Sequence, residues 1–180
     1  MRETTKILSA EHQNILKMLD LLLKECAALE SGQPLKKSFF ERAVDFIRHY
    51  ADKFHHAKEE DILFVELNKP EAQMHCNPTG QMLYEHDLGR GFVKGLEEGL
   101  AREDAVKIME NARNYAQLLQ EHIFKEDNIL YPMAETALAE EIETAMLEKF
   151  RQVEEEKFGR EVIEKYLSLI NQVGGEINSS

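Results

Sequence analysis

The sequence predicts an all-α protein, an up-down-up-down antiparallel four-helix bundle with additional helices at its C-terminal end. Three observations carry this expectation. Apolar residues recur at alternating spacings of four and three over long stretches, the period of one helix face. Glycine and proline cluster at the boundaries of those stretches, and no run alternates apolar with polar residues for long. A ten-residue pattern, His-x-x-Lys-Glu-acidic-x-Ile-Leu-aromatic, occurs at 55–64 and again at 122–131, so the chain reads as two matching halves.

The first helix is expected to begin between Thr4 and Ser9, both good N-caps, and to carry Leu8, Ile15, Leu19, Leu22, Cys26 and Leu29 on its inner stripe. His12 stands where that stripe lacks an apolar residue. Ser31-Gly32-Gln33-Pro34 ends the helix. A second helix is expected over 38–68, with Phe40, Val44, Ile47, Ala51, Phe54, Ile62 and Val65 inward and His55 and Glu59 flanking them. The Pro70, Asn77-Pro78 and Gly80 signals make 69–80 a loop. The third helix presents Met82, Gly89, Val93, Leu96 and Leu100, with His86 in the gap.

Asp104 is the expected N-cap of the fourth helix, whose stripe is Ala105, Ile108, Ala112, Tyr115, Leu119, His122, Glu126, Ile129 and Met133. Pro132 should kink or end it near Tyr131. An amphipathic stretch over 139–158 (Ile142, Met146, Phe150, Val153) and, after Gly159, a short helix with Val162, Tyr166, Leu169 and Ile170 complete the chain. Residues 1–135 are thus expected to form the bundle and 136–173 a helical extension, packed on it or at a homodimer interface. Residues 174–180 are expected to be a flexible tail.

A net charge of -12 with no basic stripe argues against nucleic acid or an anionic membrane surface as partner. No apolar run suits a signal or a membrane span, so a soluble cytoplasmic protein is expected. Cys26 and Cys76 match no metal or redox motif and read as free thiols.

The chemistry lies in the histidines. At i and i+4, His55/Glu59 and His122/Glu126 each point an imidazole and a carboxylate one way. His12 and His86 lie near the starts of helices one and three, and the two pairs lie late in helices two and four. In an antiparallel bundle these are the same end. Glu11-His12 also matches Glu85-His86, so each hairpin offers one His from its first helix and a His/Glu pair from its second. Burying two carboxylates among four imidazoles costs several kcal/mol each without a cation. The donor set suits iron, manganese or zinc, and two carboxylates between two metals can bridge them.

This pattern over His12 to Glu126 resembles the hemerythrin-like, or HHE cation-binding, domain, and the stretch from Pro78 to Arg90 looks like the third-helix entry of bacterial members. The resemblance implies a non-haem diiron centre, two iron ions with an oxo or hydroxo bridge, held by His12, His55, Glu59, His86, His122 and Glu126. It implies O2 or NO as a small diatomic ligand, and a redox partner protein that the sequence does not identify. Oxygen-carrying hemerythrins have a second His four residues after the helix-three ligand; here that position is Arg90. Asp127 stands at the carboxylate spacing those proteins use, five residues after His122, but Glu126 falls on the apolar stripe and matches Glu59. Binding or sensing of O2, NO or iron is the leading expectation. A diiron enzyme (NO or peroxide reduction, or iron-sulfur cluster repair) and a structural zinc protein are the alternatives.

Other polar residues are assigned blander roles. His49, His56 and Glu60 share a face away from the apolar stripe and are expected to be solvated. Lys58 and Lys125 read as surface ion-pair partners, His75 beside Cys76 as an ordinary exposed pair, and Tyr50, Tyr84, Tyr115 and Tyr131 as core filling, with a hydrogen bond from one of them to the site as the alternative. Gly89 either permits close helix packing or leaves room for a small ligand.

Overall fold

A computed structural model describes residues 1–178 except Gln73 and His75, and omits the side chains of residues 156, 157, 177 and 178. The expectation placed on His75 lies outside the described residues. The described residues form six helices and no strand. They are α1 (Glu3–Glu30), α2 (37–67), α3 (Thr79–Arg102), α4 (105–137), α5 (140–158) and α6 (Arg160–Asn178). No helix is long and apolar enough to cross a membrane.

The first helix starts earlier than its own capping residues suggest. Its first N–H groups are satisfied from elsewhere, with Arg2 N–H donating to Glu135 at 2.9 Å and Thr4 N–H to Glu143 at 3.3 Å. Carboxylates from α4 and α5 therefore do the work of an N-cap and complement the positive end of the helix dipole. Asp104 caps α4 as expected, accepting from Lys107 N–H at 3.0 Å, after a tight turn in which Glu103 takes φ 54°.

Wide turns bonded i→i+5 interrupt α2 at Ile47–His56 and Glu59–Leu63, and α4 at Glu126–Leu130. A wide turn holds more residues than an α turn, so consecutive side chains diverge by a smaller angle and the phase of every later residue slips. This corrects two stripe assignments. Val65 and Ile129, expected inside, are 46% and 50% exposed, and Phe64 and Leu130 are buried in their stead. Pro132 does not end α4, which runs on to Ala137. Its missing N–H falls just after Tyr131 N–H bonds Glu126 C=O, where the wide register returns to the α register.

The core is divided in two. One apolar cluster contains Ile15, Phe54, Val93 and Leu119, and the other contains Leu8, Ile62, Met82 and Leu130. Along each bundle helix the ligand candidates lie between a residue of one cluster and a residue of the other. A polar layer is therefore enclosed by apolar packing on both sides. The C-terminal stripe covers the bundle, with Met146, Phe150 and Val153 joining the second cluster and Tyr166, Ile170 and Val173 the first. The last helix runs through Asn178, past the point where a tail was expected. Cys26 is buried and Cys76 exposed, both as free thiols.

Candidate metal centre

All six side chains singled out from the sequence meet in the polar layer, each at most 1% exposed. Their donor atoms, joined by one from His56, form two groups, each with members within 4.8 Å of one another: His12, His55, Glu59 and Glu126, and His56, Glu59, His86 and His122. Glu59 belongs to both. Its Oε2 lies 3.6 Å from His55 Nε2 and 3.5 Å from His86 Nε2. Glu126 likewise spans the layer, with Oε2 3.3 Å from His12 Nε2 and Oε1 3.2 Å from His122 Nε2.

His56 corrects the expectation of a solvated face. It is 5% exposed and stacks on His86 with ring centroids 3.7 Å apart. The cause is the wide turn over Ile47–His56, which narrows the angle between His55 and His56 until both face inward. A regular helix would have kept them about 100° apart. His49 and Glu60, expected to be solvated with His56, are half-buried, and Glu60 is bonded to His86 and Arg90. The second half has Ile123 where the first has His56, so the centre offers three imidazoles on one side and two on the other.

Each of the four expected imidazoles has a carboxylate behind it. Nδ1 of His12 lies 2.9 Å from Asp127, of His55 2.9 Å from Glu11, of His86 2.6 Å from Glu60, and of His122 2.8 Å from Glu85. With Nδ1–H donated outward, the Nε2 lone pair is turned to the centre, the arrangement metal-bound histidines use. The pattern is two-fold. The Glu preceding each helix-one or helix-three His holds the His of the next helix, and the acidic residue following each bridging Glu holds the remaining His. Asp127 therefore stands behind His12, bonded also by Ser9 at 2.6 Å, and Glu126 occupies the centre.

The motif lysines supply a further layer. Lys58 donates to Glu11 and Lys125 to Glu85. Lys58 is no surface residue: it is fully buried, lies 3.7 Å over the Phe54 ring, and donates to Glu154 of α5 at 2.8 Å. The wide-turned α2 brings it under the C-terminal helices, whose position the sequence did not fix. Arg90, where a histidine was missing, binds Asp52 at 2.7 Å and Glu60 at 2.6 Å. It thereby holds both acids behind His56 and His86, since Asp52 lies 3.5 Å from His56 Nδ1. Tyr131 is not core filling alone. Its hydroxyl donates to Glu59 Oε1 at 2.6 Å and lies 3.3 Å from His12 Nε2.

Without a cation, the layer's charges are unevenly placed. Burial opposes a charge on His12 and His122, yet the carboxylates around them prevail and raise them to about 9 and about 10. Burial holds His55 and His56 neutral. Burial and the nearby Glu126 charge push Glu59 up, whereas His122 and His12 hold Glu126 down against burial. Burial raises Glu11 to about 7 despite Lys58.

Three observations fit this donor set to metal. Glu59 Oε2 and both Glu126 oxygens are buried with no hydrogen-bond partner, a cost that a cation removes. His86 Nε2 and His122 Nε2 lie 2.9 Å apart. Two donors about 2.1 Å from a shared ion and at right angles to it are separated by about 3 Å. The nitrogen–oxygen separations of 3.2–3.6 Å correspond to wider angles at such an ion.

Residues 3–134 match the family model described as the hemerythrin HHE cation binding domain. No curated protein and no solved structure matched the chain.

Proposed function

The chain belongs to the hemerythrin HHE cation-binding family, and we propose that it holds a dinuclear iron centre that binds O2 or NO. His12 and His55 would hold one ion, His56, His86 and His122 the other, with Glu59 and Glu126 shared. The observation that carries this reading is the sharing itself: each carboxylate faces one imidazole of each group. A mononuclear site gains nothing from that arrangement. Iron supplies reversible electron transfer and open coordination positions for a diatomic ligand.

The protein's own groups prepare that chemistry. The carboxylates behind the histidines fix the tautomers and aim Nε2 inward. The two apolar clusters exclude bulk water from the layer. The Tyr131 hydroxyl, beside His12 and Glu59, is a hydrogen-bond donor within the two-imidazole half, the half with fewer nitrogen donors. The displaced histidine count supports this reading further, since His56 restores the nitrogen that Arg90 withholds.

Elemental analysis of purified protein, with absorption spectra recorded anaerobically after reduction and again after O2 and then NO, tests the proposal. About two irons per chain and spectral changes with either gas support it. Zinc alone, with no iron uptake on reconstitution, moves the protein to the structural class. Turnover of NO or peroxide with an electron donor makes it an enzyme.

A further inference from the structure

Beside the three-imidazole half lies a cavity of about 170 Å3 between α2, α3 and α4. Ile47, Val93 and Leu119 give it apolar walls, and the His56 and His86 rings close it toward the centre. A cavity of about 150 Å3 accepts a benzene-sized molecule, so this space far exceeds the needs of a diatomic gas. Gly89 lines it. A Cβ there would meet the Tyr115 ring at an ordinary 3.5 Å, so helix packing does not require glycine, and the absent side chain contributes room.

The wall chemistry selects the ligand. Arg48, Lys53 and Arg90 face Asp52 and Glu85, an excess of one positive charge in a chain of net charge -12. Arg48 is paired with Glu97 and Arg90 with Asp52, Glu60 and Asp87. Glu85 is occupied by His122 and Lys125. Lys53 has no ion-pair partner among the described residues. His56 Nδ1 is turned to Asp52 at 3.5 Å, and the Tyr115 hydroxyl makes no hydrogen bond among the described residues. The lining therefore offers an exposed lysine without an ion pair and the Tyr115 hydroxyl as a donor, while its acids Asp52 and Glu85 are already held by cations.

We propose that this cavity binds a small organic monoanion, a carboxylate with an apolar body about the size of benzene. The apolar body lies on Ile47, Val93 and Leu119, and the carboxylate takes the positive charge of Lys53 and a hydrogen bond from the Tyr115 hydroxyl. Because the inner wall is made of His56 and His86, an occupant would touch the centre without entering it. The proposal stands apart from the metal reading, since neither Lys53 nor Tyr115 belongs to the ligand groups.

Calorimetric titration of metal-loaded protein with benzoate, and separately with neutral benzyl alcohol, tests this. Saturable benzoate binding is expected, with benzyl alcohol at least about tenfold weaker. Lys53→Gln should weaken benzoate about tenfold and Gly89→Leu, which fills the cavity, should abolish it, both with wild-type metal content by elemental analysis. Absence of saturable benzoate binding, equal binding of the alcohol, or benzoate binding untouched in Lys53→Gln would overturn the proposal. Should Gly89→Leu fail to fold, the lysine variant and the alcohol still decide. A protein that takes up no metal fails the metal reading on its elemental analysis alone, and the same titration then judges the cavity.

Discussion

Tyr131 donates its hydroxyl hydrogen to Glu59 at 2.6 Å, whereas Phe64, at the same position in the other copy of the repeat, has no hydroxyl to offer Glu126. Tyr131→Phe deletes that hydrogen bond without changing the ring. We expect a loss of about 1–3 kcal/mol in the metal-free protein, read as a lower urea midpoint at unchanged slope. An unchanged midpoint would show that the bond contributes nothing.

Glu59 and Glu126 are assigned as the shared ligands. Replacing both with Gln preserves shape and removes the two anions, so metal content should fall sharply. Retention of two metals per chain in the double variant, measured by elemental analysis, would defeat the ligand assignment.

Lys58 and Lys125 occupy equivalent repeat positions in unequal surroundings, the first fully buried and the second with a side chain 34% exposed. Lys58→Met leaves Glu11 as a buried carboxylate without its cation, which should cost about 3–5 kcal/mol. Lys125→Met should cost no more than about 1 kcal/mol. Thermal or denaturant unfolding compares the pair, and equal losses would contradict the burial argument.

The metal-free chain should be sensitive to alkali. His12 and His122 are held at about 9 and about 10, above the unfolded value of 6.5. Their stabilisation is complete below that value and is lost as pH rises through 9 and 10. His55 and His56, held neutral by burial, act in the opposite sense, and only at acid pH. Bound cations would replace the protons. Metal uptake at neutral pH should therefore release protons, and the loaded protein should lack the alkaline loss. Melting temperatures of both forms across that range, together with proton release on metal addition, check the sign.

The bundle, its breaks and the six central side chains were legible because helical periodicity and an internal repeat are local, countable signals. Phase was less so. Val65, Ile129 and His56 were misplaced because a pattern read at a constant period does not register a turn that changes it. The wide turns could have been suspected at the repeat, where Ile62-Leu63-Phe64 and Ile129-Leu130-Tyr131 present three consecutive large apolar residues that no single α stripe accommodates. The carboxylates behind the histidines had a visible signal too, since Glu11 and Glu85 precede His12 and His86. That each serves the imidazole of the neighbouring helix is a tertiary fact. Lys58 was misread because its burial depends on α5, and nothing in the repeat itself places that helix.

The chain of contacts from Glu154 through Lys58 and Glu11 to His55 begins at a carboxylate whose side chain is 35% exposed. A second chain, Lys125–Glu85–His122, begins at the half-buried lysine. Each of these imidazoles is thus joined to the surface by an unbroken file of paired charged groups, and the two files start from different helices.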